Sequence, residues 1–111
     1  MVFAAHPDDD IIGCGGSIAK HVQKGNSVTV VYLTSGDAGS IEIPKARLAG
    51  IRESEAMKGA SVLGVNDVEF LHNPDGYLAS KSDAWINVTN LIRSRRPDVI
   101  YFHHEHDTHP D

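Results

Sequence analysis

The run Ser-Val-Thr-Val-Val-Tyr-Leu at residues 27–33 places apolar or β-branched side chains on consecutive positions rather than alternate ones. A strand of that kind has no face to give to water, so it belongs in a sheet covered on both sides, which in practice means a parallel sheet with helices on each face. Three further runs share the character: Val2–Ala5, "DVEFL" at 67–71 and "DVIYFH" at 98–103. Between them lie segments with helical signals. From Asp10 to Lys24 the placement of Ile11, Ile18, Ala19 and Val22 predicts a helix, with Gly25 where a C-terminal stop belongs. Pro44 is expected as the first helical residue of a segment running to Leu63, stopped by Gly64. Ser82 is expected to cap a third helix whose Ala84, Val88, Leu91 and Ile92 form one stripe, ended by Pro97.

Strand and helix alternate three times and close on a strand. Right-handed crossovers follow, and with them a Rossmann-like α/β fold: a mainly parallel sheet with helices on both faces. At 111 residues the chain has room for one domain, expected to be an incomplete one, truncated on its C-terminal side. Apolar residues at 41% and charged residues at 23% are ordinary globular values and leave no membrane span. A net charge of -5, with "RSRRP" at 93–97 as the densest basic stretch, offers no footprint for nucleic acid. Cys14 stands alone and no leader is expected ahead of it, so a cytoplasmic setting fits best.

In open parallel sheets ligands bind beyond the carboxyl ends of the strands. Two histidine–acid clusters fall at that edge, "HPDDD" after the first strand and "HHEHDTHPD" after the fourth. Imidazole and carboxylate suit a borderline divalent cation, and a catalytic zinc takes about three protein ligands with one position open to water. His6 and Asp9, three apart around Pro7, can converge while Asp8 points elsewhere. Two adjacent carboxylates so divided can take different tasks, one holding the cation and the other accepting a proton. Histidines 103, 104, 106 and 109 bring the second cluster to the same edge.

Glycines 13, 15 and 16 each cost roughly 0.8–1 kcal/mol against alanine within a helix, and a close approach of the first helix to a strand or ligand is the expected reason. A dinucleotide fingerprint does not fit: the glycines come late after the strand and read G-x-G-G rather than G-x-G-x-x-G.

The motifs "AHPDDDIIGCGGSIAK", "YLTSGDAG", "RESEA" followed by "LGV", "NPDGYL" and "DTHPD" occur in an order that resembles the PIG-L/LmbE-like zinc-dependent N-acetylglucosaminyl deacetylases, over essentially the whole chain. The resemblance implies an amide hydrolase that removes an N-acetyl group from a glucosamine-containing small molecule, an N-acetylated amino-sugar conjugate. It implies Zn2+, or another divalent metal, held by His6 and Asp9, with Asp8 as the general base. His109 matches the histidine that stabilises the oxyanion or protonates the leaving amine. Arg52 and Asp75 match substrate-contacting positions, while on residue grounds alone Arg52 reads equally as a solvent-facing helix arginine and Asp75 as a turn aspartate. Asp111 matches an aspartate that could orient His109 or the base, and Glu105 and Asp107 could orient imidazoles.

The family pattern reads H-P-D-H, its last histidine being the third ligand, whereas this sequence reads His109-Pro110-Asp111. The third ligand is therefore open: a residue beyond Asp111, His106 or His104 in substitution, or a neighbouring chain in a homo-oligomer. The alternative to an enzyme is a non-catalytic Rossmann-like binding module without a complete metal site.

Overall fold

The computed structural model describes residues 1–80 and 82–111, with Ser82 described by its backbone alone, so the cap expected from that side chain lies outside the described residues. Strand β1 (Val2–Ala4) leads through helix α1 (Asp9–Gln23) to β2 (Thr29–Thr34), then through α2 (Lys45–Val62) to β3 (Asp67–Asn73). A short 3-10 turn at Leu78–Ser80 precedes α3 (Ser82–Arg95). The three strands form one parallel sheet in the order β1-β2-β3, with Val2 opposite Val30 and Val30 opposite Val68. The Rossmann-like α/β architecture is as the alternating pattern predicts.

Both faces of the sheet are covered. Val2, Ala4, Val30 and Tyr32 point to one side and pack with Ile18 of α1 and Ala56 and Ala60 of α2. Phe3, Ala5, Val31 and Leu33 point to the other and pack with Leu78, Ala84 and Val88, joined by Leu91 and Ile92. The parity of the pleat thus explains the consecutive apolar residues of β2. Ile18, Val30 and Val31 are at most 1% exposed, and burial of each stabilises the fold by about 1.5–3 kcal/mol.

Several local expectations change. The segment 98–103 is not a full strand; it joins the sheet through a single parallel bridge, Val2 to Tyr101. Phe3 N–H donates to the Tyr101 carbonyl and Tyr101 N–H to that of Met1, each at 3.0 Å. β1 offers only three residues before it bends away, and Val99, Ile100 and Phe102 remain 40–50% exposed. Pro44 stands one position before α2 rather than inside it, its carbonyl accepting the N–H groups of Arg47 and Leu48. Gly13 and Gly16 have open space where a side chain would be, so close approach to a strand does not explain them. Instead the glycine-flanked Cys14 breaks the helical geometry of α1 with φ -145 and ψ 19. The close helix contact lies on α2, where a Cβ on Gly59 would meet the tip of Ile11. Ile11 itself is 42% exposed.

Because Tyr101 lies on the flank of β1 opposite β2, the chain steps outward from β1 to β3 and then returns to the other side of β1. The turn leaving β1 sits where that direction reverses, the position at which sheets of this kind open a crevice. Among the described residues no helix is long and apolar enough to cross a membrane.

Candidate metal centre

The end of β1 is tied off by side chains. The Ala5 carbonyl accepts both the N–H and the hydroxyl of Thr34, at 3.0 and 2.7 Å, and Ala5 N–H donates to Nε2 of His103 at 3.0 Å. His6 to Asp8 form a tight turn into α1, and Asp9 closes it by accepting His6 N–H at 2.8 Å. That bond also fixes the Asp9 carboxylate beside its imidazole, with Oδ2 3.5 Å from His6 Nδ1. Asp8 faces the other way, and its Oδ2 accepts from Arg52 Nη2 at 3.0 Å. The convergence of His6 with Asp9 and the divergence of Asp8 are both present.

Two more carboxylates reach the far nitrogen of His6. Asp75 Oδ1 lies 3.1 Å and Asp111 Oδ2 3.3 Å from Nε2. Asp75, 8% exposed, also accepts Ala38 N–H at 2.8 Å through its second oxygen. Asp111 grips the turn after β3 by accepting the N–H groups of Gly76 and Leu78. Its carboxylate therefore orients neither His109 nor Asp8; only its backbone N–H reaches Nδ1 of His109, at 3.2 Å. The ring of His109 stands edge-on to that of His6, centroids 4.7 Å apart.

The charge on His6 answers these neighbours. Its pKa is pushed up to about 9, first by the hydrogen bond to Asp9 and against its burial, with Asp75, the Asp9 charge and Asp111 adding to the effect. Burial works to raise the carboxyls of Asp9 and Asp111, but hydrogen bonds from His6, and for Asp111 first from the Leu78 and Gly76 amides, hold both below the usual range.

His6, His109 and Asp111 each offer a ligand atom, all within 4.8 Å of one another, and Asp9 lies on the other side of the same imidazole. Nitrogen and oxygen donors in that mixture fit a divalent cation. The protonated imidazole amid three carboxylates supplies the positive charge that such an ion would otherwise bring. His104 and His106, considered above as substitutes, lie exposed against each other at 5.4 Å. Glu105 is paired with His106 at 3.7 Å and Asp107 with His103 Nδ1 at 3.9 Å.

His103, which the sequence offers as one of four clustered histidines without a role of its own, places Nε2 3.5 Å from Asp9 Oδ2. Its placement follows from the bridge: Tyr101 packs with the Val2 and Ala4 side of the sheet, and residue 103 arrives beside the β1 turn.

Arg52 does not face solvent. Its guanidinium spans from the Gly36 carbonyl, 3.1 Å from Nη1, to Asp8, and it lies where a side chain on Gly36 would be. Gly36 itself has φ +61, a conformation glycine adopts without strain. An open groove of about 510 Å³ runs past His6, Asp9 and His109 along Leu78, Trp85 and Phe102.

Comparison with known proteins bears on the family and the fold. The chain is 28% identical to a 1D-myo-inositol 2-acetamido-2-deoxy-alpha-D-glucopyranoside deacetylase of Geodermatophilus obscurus, a match covering 100% of this chain and 48% of the relative. Its fold superimposes on the N,N'-diacetylchitobiose deacetylase of Pyrococcus horikoshii with TM-score 0.89 and 30% identity, over 98% of this chain and 43% of that one. It also superimposes on a 4-carboxy-2-hydroxymuconate hydratase of Pseudomonas putida with TM-score 0.84 and 28% identity, over 98% of this chain and 50% of that one. The chain spans about half the length of these relatives. The family profile described as "PIG-L: GlcNAc-PI de-N-acetylase" matches residues 1–111, and the chain belongs to that family.

Proposed function

We propose that the chain carries the metal-binding edge of a zinc-dependent hydrolase that removes an N-acetyl group from a glucosamine-containing small molecule. The observation that carries this reading is the meeting of His6, Asp9, His109 and Asp111 at the carboxyl edge of the sheet, in a chain of the PIG-L family. A divalent ion held there supplies Lewis-acid polarisation of an amide carbonyl and lowers the pKa of a water from about 15.7 towards about 7.

The remaining chemistry belongs to the side chains. His6 and Asp9 act as ligands. Asp8, aimed away from both, accepts the proton of the attacking water, its direction fixed by Arg52. His109, exposed at the groove and held through Nδ1 by Asp111 N–H, presents Nε2 to the developing oxyanion or the leaving amine. Arg52 sits at the edge of the same turn, where its remaining N–H groups can meet a substrate oxygen. A cytoplasmic small-molecule enzyme is the setting this reading implies.

The likeness to a hydratase supports a second reading. There the same carboxylate would activate water for addition across a carbon–carbon double bond, freeing neither acetate nor amine. One assay separates the two: the zinc-loaded chain incubated with an N-acetylglucosaminyl conjugate, following acetate and primary amine. Equal release of both supports deacetylation. No release from an acetylated amino sugar, with consumption of an unsaturated carboxylate, supports the hydratase.

A further inference from the structure

We propose that Asp75 is a positioning residue that holds the His6 imidazole with Nε2 as a hydrogen donor and Nδ1 turned towards Asp9. This inference rests on the metal-site reading above and departs from the sugar contact that the resemblance implies for Asp75. The carboxylate is 8% exposed and held from two sides, one oxygen by Ala38 N–H at 2.8 Å and the other 3.1 Å from His6 Nε2. Nε2 faces carboxylate oxygens, Asp75 Oδ1 at 3.1 Å and Asp111 Oδ2 at 3.3 Å, and a carboxylate oxygen accepts, so this geometry places the ring hydrogen on Nε2. When a metal displaces the second proton of the ring, the lone pair then falls on Nδ1, whose neighbour Asp9 Oδ2, 3.5 Å away, already accepts His6 N–H.

The turn carrying Asp75 is itself clamped. Asp111 binds the N–H groups of Gly76 and Leu78, and Gly76 takes φ +84 to allow the turn. Asn73, two residues before Asp75, donates to the Leu33 carbonyl at 2.8 Å. Asp75 is therefore fixed to β2, to the loop after it and to the end of the second histidine cluster. Through it, the loop at Ala38 becomes a support for the imidazole of His6. A carboxylate behind a metal-binding histidine fixes the ring and raises its basicity, and removing one typically weakens metal binding by roughly 10–100-fold.

The test uses the chain in its zinc-loaded form. Long-range proton–nitrogen correlation spectra of the ¹⁵N-histidine-labelled wild type report which His6 nitrogen bears hydrogen. Nε2 with a slowly exchanging proton and Nδ1 bound to zinc is the expected result, and the reverse overturns the proposal without any variant being made. Zinc affinity, measured against a chromophoric chelator, should fall roughly 10–100-fold in Asp75→Ala and less in Asp75→Asn, whose amide oxygen can still accept from Nε2. Amide correlation spectra establish that each variant is folded. Zinc affinity unchanged in a folded Asp75→Ala overturns the positioning role while leaving the metal site standing. Failure of the wild type to bind zinc overturns the functional reading and this inference together.

Discussion

Arg52 reaches Asp8 across forty-four positions of sequence, Nη2 to Oδ2 at 3.0 Å, while its Nη1 donates to the carbonyl of Gly36. One guanidinium thus ties α2, the loop after β2 and the turn after β1 into a single unit. A planar fork holds both bonds in one fixed geometry, which the flexible, point-like ammonium of a lysine does not.

The bare α-carbon of Gly36 makes room for that fork. A Cβ there would collide with the Arg52 guanidinium, and φ is +61. Gly36→Ala should cost about 1–2 kcal/mol from the left-handed backbone alone and displace Arg52 from Asp8. Denaturant unfolding reads the first effect and the Arg52 side-chain resonance the second. Zinc affinity should stay near the wild-type value, because neither residue touches His6.

The metal-free chain should lose stability at both ends of the pH scale. His6 has a folded pKa of about 9 against 6.5, so its contribution is complete below 6.5 and disappears as pH rises through about 9. Asp9 and Asp111 are depressed below 3.8, so theirs is complete above 3.8 and is lost as pH falls through the lowered values. Melting temperatures should therefore be highest between 3.8 and 6.5. His6→Gln should flatten the alkaline limb; a wild-type midpoint unchanged from neutrality to pH 10 would contradict the assignment.

Zinc must displace the proton that His6 carries at neutral pH. Calorimetry in two buffers of different ionisation enthalpy should report close to one proton released per ion near pH 7.5. His6→Ala should abolish binding. Asp8→Asn should keep the metal and lower turnover roughly 10²–10⁴-fold, and normal turnover in that variant would remove Asp8 from the role of base.

Asp10, third of the acids in its run and in the first turn of α1, is 1% exposed, and neither carboxylate oxygen has a hydrogen-bond partner among the described residues. Burial raises its carboxyl above the usual range. Asp10→Asn removes the buried charge and should stabilise the chain by about 1 kcal/mol near pH 8, since relief of desolvation outweighs the few tenths lost at the helix N-terminus. The gain should vanish at acid pH, where the wild-type carboxyl is neutral. Thermal melts at the two pH values decide it.

The strand–helix order and the two covered faces were legible because β2 carries apolar residues on consecutive positions, a pattern with one physical meaning. The turn at His6–Asp9 was legible because proline and a three-residue spacing restrict where side chains can go. What sequence did not reveal came from long-range geometry. Nothing local distinguishes Arg52 as a helix arginine in solvent from Arg52 folded over Gly36, and "NPDG" reads as a turn whether or not its aspartate ends behind His6. The histidine run hid its relevant member, His103, because the single bridge at Tyr101 decides where that segment meets the sheet.

That lone bridge has a mechanical consequence. The half of the cleft built on β1 and β2 is rooted in a continuous ladder, whereas His103 and His109 follow an attachment one rung wide. Opening at Tyr101 would leave His103 hanging on Ala5 N–H and His109 on the Asp111 clamp at the turn after β3, and a cation gripping the two halves would act as the rivet between a stiff jaw and a hinged one.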